Sequence, residues 1–170
     1  HRRRHRQFAQ RPVEAVEMMN KVAATTEEYL AKRPPAEVPC TLGTFRPTAA
    51  VAHAAVAAAR DLGARLVAVW TATGTTVRLV AKHRLPMPVV GLSYDERVCR
   101  RMNLLYGVIP IRVAPLDNPA AMAAALDVEL LQRGLAQPGD LVVVVTSTRP
   151  QTPGATDTAL VRRVGEAGSP

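Results

Sequence analysis

The stretch LVAVWTATGTTVRLVAKHRLPMPVVGL, residues 66–92, decides the fold. Its first five residues, LVAVW, form a continuous apolar run of the kind found in a strand buried on both faces. TATGTT, residues 71–76, follows at once and opens a helical stretch that runs to about Arg84. Pro86 and Pro88 stop that helix. PVVGL then begins a second continuous apolar run. Strand, helix and strand in this order make a crossover unit, which sets its two strands parallel.

The same alternation continues downstream. Asp95 to Leu105 reads as a helix closed by Gly107, and VIPIRV, residues 108–113, as a third strand. Pro119 and the Ala-rich stretch 120–133 make another helix that ends at Gly134. LVVVVT, residues 141–146, is the fourth and most apolar strand. A Pro/Gly-rich loop, residues 149–155, precedes a last strand near Thr158–Val164. Upstream, Thr48 is a candidate N-cap for AAVAHAAVAAAR, residues 49–60, and Gly63 ends that helix. Residues 32–47, KRPPAEVPCTLGTFRP, hold four prolines and no periodicity, so they read as a linker. Before them Val13, Val16, Met19, Val22 and Ala23 recur at helical spacing, and Pro12 suits a first turn, so a lead-in helix is expected over 12–31.

Strand and helix alternate four times from residue 48. The expected class is therefore α/β: a three-layer α/β/α sandwich around a mostly parallel, five-stranded sheet. The final strand follows its neighbour through a loop too short for a crossover helix, so it is expected antiparallel, as an edge strand at the C-terminus. The expected organisation is a disordered basic tail (1–11), the lead-in helix (12–31), the linker (32–47), an α/β domain (48–164) and a short tail (165–170). Ligands of such sheets sit beyond the carboxyl ends of the strands. That rule points to residues 71–76 and 146–156.

Composition narrows the function. The chain of 170 residues is 48% hydrophobic and 21% charged, which favours a globular fold over disorder. Aromatics are only 4%, so the core must be built from Ala, Val and Leu. The net charge of +8 suggests nucleic acid or an anionic surface. Yet HRRRHRQFAQR, residues 1–11, holds five arginines and no acid, and without it the charge falls to +3. The tail has no aromatic interleaving except Phe8, so nucleic-acid binding through it is a minor alternative. No apolar run is long enough to span a membrane, and none follows the basic tail as in a secretory signal. Cys40 and Cys99 make no disulfide framework and no CxxC pair, so reduced thiols in the cytoplasm are expected. The first residue is His1 rather than Met, so a fragment, a processed chain or a truncated reading frame is expected.

The strongest site candidate is TATGTT. Hydroxyls of Thr71, Thr73, Thr75 and Thr76, a turn at Gly74 and backbone N–H groups could hold a phosphate without a lysine. No GK[ST] and no GxGxxG is present, so nucleotide hydrolysis is not indicated. The bland alternative is an ordinary turn. The second candidate is the loop RPQTPGA, residues 149–155, where Arg149 could reach an anion at TATGTT; the alternative is a surface hairpin with a solvated arginine. His53 has no His, Cys or Asp at i+3 or i+4 and reads as a packed or half-exposed helix residue rather than a ligand. His83 and Arg84 suit a helix C-terminus. Asp95, Glu96 and Arg97 read as a first turn, Cys99 as a small buried hydrophobe, and Trp70 as packing at a strand end. No acid–base pair, nucleophile–base set or metal-ligand spacing stands out, so no catalytic or metal residue is expected.

PVEAVEMMNKVAATTE (12–27) resembles the helix that leads from the catalytic barrel of pyruvate kinases into their C-terminal domain. AVWTATGTTVRLVAKHRLPMPVVGLSYDERVCRRMNLLYGVIPIRV (68–113) resembles the centre of that domain. GDLVVVVTSTRP (139–150) and GATDTALVRRV (154–164) resemble its final hairpin. The resemblance covers about residues 12–164 and implies a C-terminal regulatory and assembly domain. Full enzymes of the family transfer the phosphoryl group of phosphoenolpyruvate to ADP in glycolysis with Mg and K ions, and that chemistry occupies a barrel of ~250 residues. The barrel is missing here, so no catalytic residue, metal ligand or cofactor is implied for this chain, and inactivity alone is expected. The resemblance also implies a cytoplasmic homotetramer. It implies an effector whose phosphate rests on Thr71, Ala72, Thr73, Gly74, Thr75 and Thr76, bordered by a second loop with Arg149, Pro150 and Gly154. The tail HRRRHRQFAQR departs from the family's Gly-Glu-Thr-Ala stretch, and a misjoined reading frame is expected there. The Ala-rich region with Asp127 and Glu129 stands where some members have Trp and Arg, and Ser147 and Thr148 stand where some have Gly-Trp. A monophosphate effector is therefore expected.

Overall fold

The computed structural model describes residues 11–31, 46–149, 152 and 154–166. The basic tail through residue 10, the linker from 32 to 45, and the tail from 167 lie outside the described residues, as do Cys40 and Pro150. The chain divides into two compact units, His1–Ala36 and Glu37–Pro170.

The first unit contains α1, Pro12–Ala31. Its opening turn carries an exposed ion pair from Arg11 to Glu14 at 3.0 Å. Within it, the Thr25 and Thr26 hydroxyls donate back to the carbonyls of Lys21 and Val22.

The second unit follows the order α2 (Arg46–Asp61), β1 (Leu66–Trp70), α3 (Thr75–Ala81), β2 (Val89–Ser93), α4 (Glu96–Met102), β3 (Val108–Arg112), α5 (Pro119–Gln132), β4 (Leu141–Thr146) and β5 (Thr158–Arg163). The sheet runs β3-β2-β1-β4-β5. β1, β2, β3 and β4 are parallel, and β5 pairs antiparallel with β4, with Val143 opposite Val161. This is the α/β sandwich expected from the alternation, including its antiparallel C-terminal edge.

Strand alternation divides the core in two. Val67, Val69, Val143 and Val145 face one side and meet Ala52, Ala55, Val56 and Ala59 of α2, Val77 and Val80 of α3, and Val98 and Met102 of α4. Leu66, Ala68, Val142 and Val144 face the other and meet Leu126 and Leu130 of α5. Because both faces are covered, the strands read as unbroken apolar runs. Each fully buried Val or Leu contributes about 1.5–3 kcal/mol. The alanines of α2 let its backbone approach the sheet closely. A similar approach occurs at Gly91 of β2, where an added Cβ would lie 2.7 Å from the Met102 sulfur and 3.2 Å from Val77 Cγ2.

Helix boundaries differ from the sequence expectation at three places. α2 begins at Arg46, two residues before the expected cap. Thr48 lies inside its first turn, 2% exposed, with its hydroxyl 3.5 Å from the Gly154 carbonyl. Pro47, expected in the linker, is compatible with a first turn. α3 stops at Ala81 rather than near Arg84: the His83 and Arg84 N–H groups bond back three residues, and Arg84 has a left-handed φ of 44°. α4 stops at Met102, where the N–H groups of Leu104 and Leu105 tighten to carbonyls three residues back. Its N-cap is Asp95, whose carboxylate accepts from the Arg97 N–H at 2.7 Å.

Candidate functional site

The chain leaves β1 toward β2, while β4 lies on the other side of β1. The crevice above the carboxyl ends of β1 and β4 is therefore the topological switch point of the sheet. Both loops singled out in the sequence start there, one after Trp70 and one after Thr146.

The first loop is folded by its own hydroxyls. The Thr71 N–H donates to the Leu92 carbonyl at 3.0 Å, which anchors the loop to the end of β2. The Thr71 hydroxyl accepts from the Gly74 N–H at 2.9 Å. The Thr73 and Thr75 hydroxyls lie 3.0 Å apart. Gly74 is the N-cap of α3 with φ 82°, a left-handed conformation for which glycine is the default residue, and no side chain caps the helix.

The second loop is tied down in the same way. The Ser147 hydroxyl donates to the Ala155 carbonyl at 2.6 Å and accepts from the Arg149 N–H at 3.0 Å. The Asp157 carboxylate accepts from the Thr148 N–H, the Thr148 hydroxyl and the Thr158 hydroxyl. These hydrogen bonds, the Thr148 hydroxyl first, hold the Asp157 carboxyl below its ordinary range. One buried contact joins the loops: the Thr76 and Thr156 hydroxyls lie 2.8 Å apart.

Between the loops lies a cleft of about 660 Å³, including its open mouth. Thr71, Thr73, Thr75 and Thr76 line it from the first loop, and Ser147, Thr152, Gly154 and Thr156 from the second. Trp70, Leu92, Leu116 and Met122 form an apolar wall. Of the expected residues, Ala72 and Gly154 also line the cleft, whereas Gly74 faces a second depression with Arg78 and Arg101. Arg149 is exposed and does not line the cleft; its main chain bonds to Ser147. Thr146, Thr152 and Thr156 fall within the stretch 146–156 to which the carboxyl-end rule points, whereas Ser93 and Tyr94, at the carboxyl end of β2, are lining residues that the sequence did not single out.

Among the described residues, no Lys, Arg or His lines the cleft. Its polar groups are neutral hydroxyls and main-chain groups, suited to binding rather than to nucleophilic or acid–base chemistry. Cys99, a buried residue of α4, has its thiol pushed up mainly by burial and is not a poised nucleophile. Among the described residues, no group of three or more His, Cys, Asp and Glu converges on a common point. These described residues thus offer no carboxylate cluster of the kind that holds Mg²⁺. Among them, too, no helix is long and apolar enough to cross a membrane.

A mostly parallel sheet covered on both faces, with a hydroxyl-lined crevice at its switch point, defines an α/β sandwich domain. The chain belongs to the pyruvate kinase family: residues 49–162 match its alpha/beta domain. One pyruvate kinase of Agrobacterium vitis is 31% identical over 154 residues, covering 91% of this chain and 32% of its own length. A second from the same organism is 34% identical over 134 residues, with 79% and 28% covered. That of Mycobacterium tuberculosis is 29% identical over 160 residues, with 91% and 32% covered. The chain thus spans about a third of the length of the curated relatives it matches. The crystal structure of a pyruvate kinase from Cryptosporidium parvum superposes with a TM-score of 0.65 at 21% identity, over 75% of this chain and 24% of that one, a likeness of fold.

Proposed function

We propose that this chain is the regulatory and assembly portion of a pyruvate kinase and that the cleft between residues 71–76 and 146–156 takes a phosphorylated effector. The observation that carries this reading is the four-threonine loop at the carboxyl end of β1, opening into a hydroxyl-lined cleft at the switch point. Without a cation in the lining, the bound group would be a single phosphate held by hydroxyls and main-chain N–H groups. Thr71, Ala72, Thr73, Gly74, Thr75 and Thr76 would form its cradle. Gly154 would border it from the second loop, with Thr152 and Thr156 alongside. Transfer of a phosphoryl group from phosphoenolpyruvate to ADP would belong to the longer parent enzyme, with its Mg and K ions, and the assembly would be a homotetramer in the cytoplasm.

The test uses the single tryptophan, which lines the cleft. Titration with ribose 5-phosphate, glucose 6-phosphate or AMP is expected to change Trp70 fluorescence and to shift the amide signals of residues 71–76. Silence toward every phosphate compound would sink the effector reading. A coupled pyruvate assay is expected to find no turnover, and robust turnover would overturn the division of labour.

One observation favours a second reading, a purely structural module with an empty turn. The Thr71, Thr73 and Thr75 hydroxyls already satisfy partners within the loop. An oligomeric state unchanged by phosphate compounds would support it.

A further inference from the structure

Two imidazoles from separate elements meet on the sheet face that carries α2 and α3. His53 lies in the middle of α2 and is exposed; His83 follows the end of α3 and is half-buried. Their ring centroids are 5.6 Å apart, with the planes inclined at 54°. Among the described residues, neither ring has a protein hydrogen-bond partner, so all four ring nitrogens are uncommitted. The backbones beneath them are fixed. Buried Ala52, Ala55 and Val56 hold this part of α2 on the sheet. The His83 N–H donates to the Val80 carbonyl at 3.0 Å, and its carbonyl accepts from Arg60 at 2.9 Å.

We infer that His53 and His83 form a two-imidazole site for a borderline divalent transition cation, of the Zn²⁺, Cu²⁺ or Ni²⁺ class, bridging α2 to the end of α3. The spacing fits. With metal–nitrogen bonds of about 2.0–2.1 Å, a metal sits about 3.2 Å from each ring centroid, so two ligands about 110° to 180° apart have centroids about 5.2–6.4 Å apart. The observed separation lies inside that window. Imidazole nitrogens suit these cations, whereas Mg²⁺ and Ca²⁺ demand oxygen ligands, so the site selects against the hard ions. Among the described residues these two imidazoles are the protein ligands, and water would complete the shell. The site is therefore open and weaker than a closed structural zinc site.

Burial, then the neighbouring His53 and Arg60, hold His83 below the usual imidazole range. Its neutral, ligating form consequently predominates at neutral pH, and protons compete little with the metal. The Arg60 guanidinium works against a bound cation and further limits its affinity. Unfolding separates residues 53 and 83, so a metal held between them stabilises the fold.

The chain has four histidines. The full chain carrying His1→Ala and His5→Ala leaves His53 and His83 as its only imidazoles. Titration of this chain with ZnCl₂ at pH 7.5, followed by ¹⁵N signals of the rings, should move both rings together and saturate at one Zn²⁺ per chain. The Tm should rise with Zn²⁺ and not with Mg²⁺. Adding His53→Gln or His83→Gln, each checked for folding by its amide spectrum, should abolish saturation at the remaining ring. Two results would overturn the site: rings unmoved by Zn²⁺, or a response at one ring that survives loss of the other.

Discussion

The hydroxyl of Thr76, on the first turn of α3, lies 2.8 Å from the hydroxyl of Thr156 on the loop between β4 and β5, and both residues are buried. Eighty residues of chain separate them, yet this bond fixes the two walls of the cleft against each other. Replacing one threonine by valine keeps the shape and strands the other hydroxyl. Thr76→Val or Thr156→Val should each cost about 1–3 kcal/mol, the penalty for an unpaired buried polar group. The double variant should cost less than the sum, because it removes both hydroxyls together. Urea unfolding of all four chains measures the coupling, and strict additivity would mean that the hydroxyls do not pair.

Gly91 tests how closely α4 lies on the sheet. A methyl group there would meet the Met102 sulfur at 2.7 Å and Val77 Cγ2 at 3.2 Å. Met102 is 1% exposed, so its side chain has little room to retreat. Gly91→Ala should destabilise by about 1–3 kcal/mol, the usual range for overpacking a filled core. The same change combined with Met102→Ala should cost less than the two changes summed. Thermal or urea unfolding reads both effects.

The alternation of apolar runs and helices was legible because each strand is covered on both faces, so burial and sequence carry the same signal. The antiparallel edge was legible from loop length alone. Helix ends were less so. Arg84 adopts a left-handed φ that its side chain does not announce, and the α2 start depends on burying Thr48 near Gly154. The first loop was marked by four threonines and a glycine. The second wall was legible only as a stretch, 146–156, from the carboxyl-end rule; which of its residues reach the cleft, Thr152 and Thr156 among them, depends on tertiary contacts that local pattern cannot encode. The His53–His83 pair was invisible for the same reason, since helical spacing finds only partners three or four residues away.

The acid limb of stability should carry the mark of His83. Its folded pKa lies below the ordinary imidazole value, through burial first and then through His53 and Arg60. The unfolded chain therefore takes up the proton more readily. The stability that the neutral ring supports is fully present above the unfolded pKa of about 6.5, and is lost as pH falls from there to the folded pKa. His83→Gln should flatten that part of the profile. Removing the His53 charge by His53→Gln should move the His83 titration upward, toward the ordinary value. Imidazole NMR titrations, with urea unfolding at pH 8 and pH 5.5, provide the check.

The edge strand is held to the opposite helix by an ion pair that should be costly to break. Arg162 of β5 donates to the Asp127 carboxylate of α5 at 2.8 Å and to the Ala123 carbonyl at 3.1 Å, with both side chains largely buried. The same carboxylate oxygen accepts from the Gly165 N–H at 3.1 Å, while the other oxygen is buried without a partner among the described residues. Arg162→Met would leave that carboxylate buried and uncompensated, at a cost of about 3 kcal/mol or more. Replacing both partners by Arg162→Met and Asp127→Leu should recover much of the loss, because a buried pair gains little over well-packed apolar groups once desolvation is included. Denaturant midpoints of the single and double variants separate the two contributions. A single variant as stable as the parent would mean that the pair is solvated and contributes no more than a surface bridge.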